Sequence, residues 1–134
     1  MRSQKVSKNL YGFVKGRSMW PALLPGDVLK AEYVATKEIR QGDIIVRITS
    51  KGSPVVHRFV RIINLLDGRR FMQTSGDRSG LDKPSAIQSK TLKVFAVLRR
   101  RKWRRPMNRH FPLAMLVPTK LMNIHLKLAR RFLQ

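Results

Sequence analysis

The run Val55-Val56-His57-Arg58-Phe59-Val60-Arg61-Ile62 has the β-branched and alternating apolar composition of a β-strand. Short apolar runs of this kind recur from Leu10 to Leu98, separated by glycine turns, and helical periodicity is weak among them. The sequence therefore predicts a mostly β domain of short antiparallel strands. We expect these strands at residues 10–15, 28–34, 44–49, 55–63, 70–74 and 92–98, with one helical turn within residues 19–24.

Alternation within the opening run also assigns its two faces. It places His57 and Phe59 on one face, and the opposite face, which carries Val56 and Val60, is expected to meet the core. A histidine in such a strand is either a structural residue, whose hydrogen bonds are all made within the fold, or a functional one. The strand pattern alone favours the structural interpretation.

The chain has 134 residues, which suits one domain with appendages rather than two domains. We expect an N-terminal extension over residues 1–9, the β domain over residues 10–98 and a basic tail over residues 99–134. From Pro118 onward the apolar residues recur at helical spacing, which predicts an amphipathic helix at about residues 118–133. Pro118 suits the first helical position, where its missing N–H is not needed.

The charge is large and unevenly distributed. The net charge is +22, and residues 83–134 contain 14 basic and no acidic side chains. Such a segment attracts phosphate groups, either of an anionic membrane surface or of nucleic acid, and the membrane is the expected partner. The alternative to partner binding is that residues 99–105 are only an exposed charged segment and that the predicted helix at residues 118–133 packs on the β domain. The cations expected to make the membrane or anion contacts are Arg99, Arg100, Arg101, Lys102, Arg104, Arg105, Lys120, Lys127, Arg130 and Arg131.

Composition excludes several classes of site. The absence of cysteine rules out disulfides and thiolate metal sites, and no metal or cofactor is expected. No window approaches the roughly 18 apolar residues of a spanning helix, and the first ten residues lack the apolar centre of a secretory signal. We therefore expect a cytoplasmic protein, peripheral at the inner face of the membrane.

A second stretch, Gly16-Arg17-Ser18-Met19-Trp20-Pro21-Ala22-Leu23-Leu24-Pro25-Gly26-Asp27, places one serine on a turn rich in glycine and proline. Ser18 is a candidate nucleophile only if a base and an orienting group lie nearby in space, because an unassisted serine hydroxyl is a poor nucleophile. His57 is the candidate base, ahead of His110 and His125 in the tail. Asp77 and Asp82 are the candidate orienting groups.

Four segments taken together resemble the boxes of the signal peptidase I superfamily of serine proteases. Ser18-Met19-Trp20-Pro21 with Leu24-Pro25-Gly26-Asp27 resembles the nucleophile box, and Gly42-Asp43-Ile44-Ile45-Val46 resembles the strand that follows it. Val55-Val56-His57-Arg58-Phe59-Val60 resembles the general-base box, and Thr74-Ser75-Gly76-Asp77 with Asp82 resembles the box that closes the site. Their order over residues 12–98 makes the resemblance far more specific than one box alone.

The resemblance implies the β-fold that signal peptidases share with self-cleaving repressors, and a Ser-His endopeptidase. Histidine rather than lysine at the base position places the chain nearer the archaeal and endoplasmic-reticulum branch. Ser18 would attack the peptide carbonyl with its own backbone N–H as an oxyanion donor, His57 would relay the proton, and Asp82 or Asp77 would support the imidazole. Met19 and Pro21 would contact the substrate.

Two departures from the family pattern shape the expected function. Family members often carry a hydroxyl residue two positions before the nucleophile, and this chain has Gly16 there. Familiar signal peptidases are anchored by a spanning helix, and this chain is expected to be a small soluble member without one. We therefore expect maturation of a dedicated peptide or protein precursor. The alternatives are a non-catalytic, nucleic-acid-binding or repressor-like relative of the fold and a membrane-surface adaptor.

Overall fold

The computed structural model describes residues 8–107, which form a single antiparallel sheet of nine strands and contain no α-helix. The strands follow the order β1-β2-β8-β3-β4-β5-β6 across the sheet, while β7 pairs with β5 and β9 with β8. A single 3₁₀ turn, Thr36–Glu38, follows β2. The strands are β1 (Leu10–Phe13), β2 (Val28–Ala35), β3 (Ile44–Ile48), β4 (Pro54–Asn64), β5 (Arg70–Gly76), β6 (Gly80–Leu81), β7 (Ser85–Ala86), β8 (Lys90–Arg99) and β9 (Lys102–Arg104).

The mostly β prediction is confirmed. Each of the six predicted strands is present as β1, β2, β3, β4, β5 or β8, with ends displaced by at most two residues. The strands that the sequence did not predict are β6, β7 and β9, which have two or three residues and too little apolar pattern to detect. Residues 19–24 contain one turn closed by a hydrogen bond at 2.9 Å from the Leu23 N–H to the Met19 carbonyl, which is the bond of the single helical turn expected there.

Two clusters of buried side chains form the core. The larger packs the turn after β1 against β2, β3 and β8, and Met19, Leu23 and Val94 are its most buried members. The smaller joins β3, β4 and β5 through Ile45, Phe59 and Met72, together with Ile39. The segment that carries Ser18 is thus anchored by its own apolar residues.

The recurring Gly-Asp pairs close two similar turns ahead of β2 and β3. Asp27 accepts a hydrogen bond at 2.8 Å from the Leu24 N–H, and Asp43 accepts one at 2.9 Å from the Arg40 N–H. Each aspartate thereby satisfies the amide three residues earlier. The preceding glycines have φ of 94° and 93°, a left-handed conformation that glycine adopts without steric cost.

The face assignment for β4 holds in part, because Val56 packs against the larger core cluster as expected but Phe59, on the opposite face, is itself buried in the smaller cluster. The pairing of β4 with β5 shifts register between Phe59 and Arg61, so Val60 is an extra residue in a β-bulge. His57, Arg58, Phe59 and Val60 are all buried, because elements pack on both faces of this part of the strand. A bulge of this kind breaks the alternation on which the prediction rested.

The sheet also extends beyond the expected end of the β pattern at residue 98. β8 runs to Arg99, turns through Arg100 and Arg101, and returns as β9, with Leu98 opposite Trp103. This hairpin was not predicted, because residues 99–105 are mostly cationic and lack the apolar pattern of a strand. The predicted helix at residues 118–133, most of the N-terminal extension, His110, His125, Lys120, Lys127, Arg130 and Arg131 lie outside the described residues.

Candidate active site

Ser18 lies in the turn between β1 and β2, directly before a buried segment of that turn. Met19, which follows it directly, is 2 % exposed, and Leu23 is fully buried. The Trp20 N–H donates to the Arg17 carbonyl at 3.0 Å across the serine. The chain around the Ser18 hydroxyl is therefore fixed by the core, while Ser18 itself stays partly exposed.

His57 on β4 meets this serine. Its Nε2 lies 2.9 Å from the Ser18 Oγ, a hydrogen-bond distance between residues 39 positions apart in sequence. Its ring is mostly buried, with the side chain 10 % exposed. The two groups that nucleophilic catalysis requires are thus in direct contact.

Asp82 supports the opposite side of the imidazole. Its Oδ2 hydrogen-bonds the His57 Nδ1 and also accepts from the Thr74 hydroxyl at 2.7 Å. The Asp82 backbone N–H donates to the Thr74 carbonyl at 2.9 Å, which fixes the backbone that carries the carboxylate. Serine, histidine and aspartate therefore form one continuous hydrogen-bonded chain.

Burial of Asp82 works against its ionisation, but other groups outweigh this effect. Hydrogen bonds from His57 and Thr74, with electrostatic interactions with His57 and Arg47, hold the Asp82 pKa below its usual value of 3.8. The Arg47 Nη2 lies 3.7 Å from the Asp82 Oδ2. The carboxylate is accordingly ionised at neutral pH, as an acceptor for the histidine N–H must be.

Asp77, the other candidate, does not contact His57. Its Oδ1 accepts from the Arg58 Nε at 2.7 Å, and these side chains are 2 % and 0 % exposed. The Arg58 Nη1 also donates to the carbonyls of Gly42 and Met107. The structure therefore places Asp77 in a buried ion pair that ties β4 to the loop after β5.

That loop closes against the serine turn. The Arg78 N–H donates to the Ser18 carbonyl at 2.8 Å, and the Arg78 guanidinium lies 5.2 Å from the centroid of the Trp20 ring. Gly76 permits this approach, since a Cβ there would collide with Ser79 Oγ and come within 3.0 Å of His57 Nε2. A residue with a side chain at position 76 would displace the histidine.

The oxyanion side of Ser18 is open. The Ser18 N–H makes no backbone hydrogen bond within residues 8–107, so it is available to a ligand oxygen. A Cβ at Gly16 would contact nothing within 4 Å. The structure therefore shows no side-chain donor at position 16, and the backbone donor expected from the sequence stands alone there.

Two other predicted contact residues, Met19 and Arg99, have different surroundings from those expected. Met19, predicted to contact the substrate, belongs to the core and is 2 % exposed, whereas Pro21 is exposed. Arg99 was expected to face a membrane or an anion. Its side chain instead pairs with the buried Asp27 at 2.7 Å and donates to the Ala22 carbonyl at 3.2 Å. The remaining described tail cations, Arg100, Arg101, Lys102, Arg104 and Arg105, are exposed.

Sequence reasoning missed Arg47 at this site. The pairing of β3 with β4 sets Ile45 opposite His57 and Arg47 opposite Val55, so Arg47 and His57 share a face of the sheet. Only the strand register reveals this relation, because the two residues are ten positions apart across a loop. The role of Arg58 as the partner of Asp77 was missed for the same reason.

Within residues 8–107 no group of three or more histidine, aspartate or glutamate side chains is arranged to hold a metal ion. The same residues contain no helix with the length and apolar content needed to cross a membrane. Comparison with protein-family models, curated proteins and solved structures finds no match to this chain. Its function must therefore be argued from the geometry of the site.

Proposed function

We propose that this protein is a serine endopeptidase in which Ser18 is the nucleophile, His57 the general base and Asp82 the orienting carboxylate. The observation that carries the proposal is the chain from Ser18 Oγ through both nitrogens of His57 to Asp82. Convergent Ser-His-Asp sites are identified by this geometry and these roles rather than by sequence position. A purely structural histidine does not require a serine hydroxyl and a partly buried carboxylate at its two ends.

The mechanism follows from the contacts. The Ser18 oxygen attacks the peptide carbonyl carbon while His57 Nε2 takes its proton, and the resulting oxyanion accepts a hydrogen bond from the Ser18 N–H. His57 then gives the proton to the leaving amine as the peptide bond breaks, which leaves an acyl group on Ser18. Water, deprotonated by His57, releases the acid and restores the serine. Asp82 stabilises the transient imidazolium throughout.

The strand arrangement favours an extended peptide as the substrate. β4 pairs with β5 only from Arg58 onward, so Pro54, Val55, Val56 and His57 have a strand partner on the β3 side alone within the described residues. An extended peptide can hydrogen-bond to such a free edge, and here that edge ends at the general base. These features, with the four sequence boxes, support a signal-peptidase-like or self-cleaving-repressor-like fold.

We further propose that the substrate is a dedicated peptide or protein precursor. A protein of charge +22 attracts acidic partners, and an acidic leader or precursor fits it best. We also propose that the basic tail contacts an anionic membrane surface. Nucleic-acid binding by an inactive relative is less well supported, since it gives no reason for the hydrogen-bonded chain at Ser18.

The test compares the full-length protein with Ser18→Ala and His57→Ala on a library of proteome-derived peptides, with cleavage sites identified by mass spectrometry. The unaltered protein should cleave a restricted set of sites, and each substitution should reduce the rate by about 10⁴-fold or more. Ser50→Ala, at an exposed loop position, serves as the matched control and should retain full activity. Cleavage that persists in both Ser18→Ala and His57→Ala would rule out this dyad.

A further inference from the structure

Arg47 is a mostly buried cation whose hydrogen-bonding capacity is unused. Its side chain is 23 % exposed, and its ion pair with Asp82 spans 3.7 Å, beyond hydrogen-bond distance. Within the described residues its Nε is buried without a hydrogen-bond partner. Because the Nε is fully enclosed, an acceptor that arrives from outside can reach this guanidinium only through its remaining, partly exposed atoms.

Open space does adjoin it. A cavity of about 260 Å³ lies between β3, β7 and β8, and Arg47 forms part of its wall. Ile45 and Met72 contribute apolar surface to the cavity, while Lys90, Ser85 and Gln88 contribute polar groups. The lining contains two cations and no carboxylate.

Size and chemistry together define what fits. Small-molecule and cofactor sites usually enclose roughly 300–1,000 Å³, so this cavity suits a single side chain better than a whole cofactor. Its apolar surface accommodates a methylene stem, and the guanidinium fork matches the two oxygens of a carboxylate. Glutamate combines these two features.

Arg47 links the wall of the cavity to Asp82 and His57, whereas no residue of β4 and neither Ser18 nor Asp82 lines the cavity. Arg47 lies opposite Val55 on β4, two residues before His57 and on the same face of the sheet. Asp82, which Arg47 approaches, is the carboxylate that binds His57. A peptide lying along the free edge of β4 therefore runs beside the strand pair that carries Arg47.

We propose that this cavity is a specificity subsite that binds an acidic side chain of the peptide substrate, with Arg47 as the residue that recognises its carboxylate. The inference rests on the proposed endopeptidase function and deepens it, because it names a feature of the substrate. Recognition of an acidic residue at one fixed distance from the cleaved bond also agrees with the acidic substrate proposed from the positive net charge of the protein.

The first experiment measures kcat/KM for pairs of peptides that differ only by glutamate or glutamine at one position relative to the cleaved bond. For the full-length protein, one position should favour glutamate by about tenfold. Arg47→Met should abolish this ratio, and Arg47→Lys should retain part of it. Arg70→Met, which removes an exposed arginine from the start of β5, should leave the ratio unchanged. Using the ratio removes any general loss of rate that follows from the contact of Arg47 with Asp82.

A second experiment does not depend on proteolysis. The arginine Nε–H resonances of full-length Ser18→Ala are followed by NMR during titration with N-acetyl-glutamate α-amide, and with N-acetyl-glutamine α-amide as the control. The Arg47 resonance, assigned by its absence from the Arg47→Met variant, should shift in a saturable way with the glutamate compound alone.

The outcomes separate the two proposals. If peptides are cleaved but glutamate and glutamine react equally at every position, the subsite is wrong and the endopeptidase stands. If no peptide is cleaved but the Arg47 resonance shifts, the cavity is a carboxylate site of a protein that is not a peptidase, and the assignment to a protease subsite fails. An unshifted Arg47 resonance, or a glutamate preference that survives Arg47→Met, overturns the role of Arg47 directly.

Discussion

At the residue scale, two aspartates close together in sequence have different environments. Asp82 is partly exposed and bonds His57 and Thr74, whereas Asp77 is buried against Arg58. The first arrangement orients an imidazole, and the second ties β4 to the loop that follows β5. Removing either carboxylate should therefore harm the protein in a different way.

Asp82→Asn should leave the fold intact and lower kcat by roughly 10³–10⁴-fold, because the imidazole loses the charge that stabilises its protonated form. Asp77→Asn should instead lower the free energy of unfolding by about 3–5 kcal/mol, since it leaves the buried Arg58 without a counter-charge. Urea denaturation and peptide cleavage of both variants check the distinction. Equal stability losses in the two would contradict it.

The stability of the protein should depend on the ionisation of Asp27. Burial opposes the charge of Asp27, but hydrogen bonds from Arg99 and the Leu24 N–H, with the charge of Arg99, hold its pKa below the usual 3.8. A pKa that is lower in the folded than in the unfolded state stabilises the fold above the unfolded pKa, and this contribution disappears as the pH falls through the folded pKa.

We therefore expect the difference in unfolding free energy between the unaltered protein and Asp27→Asn to be largest at neutral pH and to shrink below about pH 4. Denaturant titrations at pH 7, 4 and 3 measure it. Glu38→Gln, which alters an exposed carboxylate in the 3₁₀ turn after β2, serves as the control. A difference that grows on acidification would contradict the assigned role of Asp27.

At the scale of elements, the hairpin between β8 and β9 turns through two arginines with positive φ. Arg100 has φ of 51° and Arg101 has φ of 65°, a left-handed conformation that is unfavourable for residues with a Cβ. Two-residue hairpin turns of this kind prefer Asn-Gly. The sequence thus places cations where turn chemistry favours other residues.

Replacing Arg100 with Asn and Arg101 with Gly should raise the free energy of unfolding by about 1–2 kcal/mol, because the turn no longer holds two arginines in the left-handed region. Thermal or urea denaturation of the double variant measures the gain. The matched control is Arg105→Gly, which removes an exposed tail cation outside the turn and should not stabilise the protein. A double variant no more stable than the original would contradict this account of the hairpin.

The loop between β5 and β6 depends on Gly76 for its approach to the catalytic groups. Gly76→Ala adds a methyl group that must displace Ser79 and crowd both His57 Nε2 and the Ser18 carbonyl, the last at 3.1 Å. We expect this variant to lose at least tenfold in kcat, because a small displacement of the imidazole breaks its alignment with the serine. Gly12→Ala, where the added methyl group meets nothing within 4 Å, should retain its rate. Peptide cleavage assays compare the two.

At the scale of the whole molecule, residues 99–107 are part of the sheet domain rather than a detached tail. Arg99 neutralises the buried Asp27, β9 pairs with β8, and the Met107 carbonyl accepts a hydrogen bond from Arg58. The basic segment is therefore joined both to the turn that carries Ser18 and to the strand that carries His57.

A chain ended after Leu98 should be less stable than one ended after Met107 by about 3 kcal/mol or more, because it leaves Asp27 buried without its cation. Differential scanning calorimetry of both truncated chains beside the full-length protein measures the loss. If the two truncated chains melt at the same temperature, residues 99–107 are dispensable to the domain.

Much of the fold could be predicted from sequence, because long strands have a local apolar pattern. β2, β3, β4 and β8 were located to within two residues at each end. The two- and three-residue strands, the bulge near Val60 and the hairpin through Arg100 could not be located, since pairing partners elsewhere in the chain determine them. The burial of Met19 could not be predicted either, because it depends on how the turn that carries Ser18 packs on the sheet.

The sequence by itself determined the β class, the Gly-Asp turns and the short set of groups able to perform nucleophilic chemistry, because each rests on local composition and spacing. Only the tertiary structure decided that Asp82 rather than Asp77 hydrogen-bonds to His57. It also decided that Arg99 pairs with the buried Asp27 and that Arg47 forms an ion pair with Asp82. These outcomes depend on strand register, which brings together residues from 10 to 72 positions apart. Register is set by the packing of the whole sheet, so no single segment of the chain encodes it.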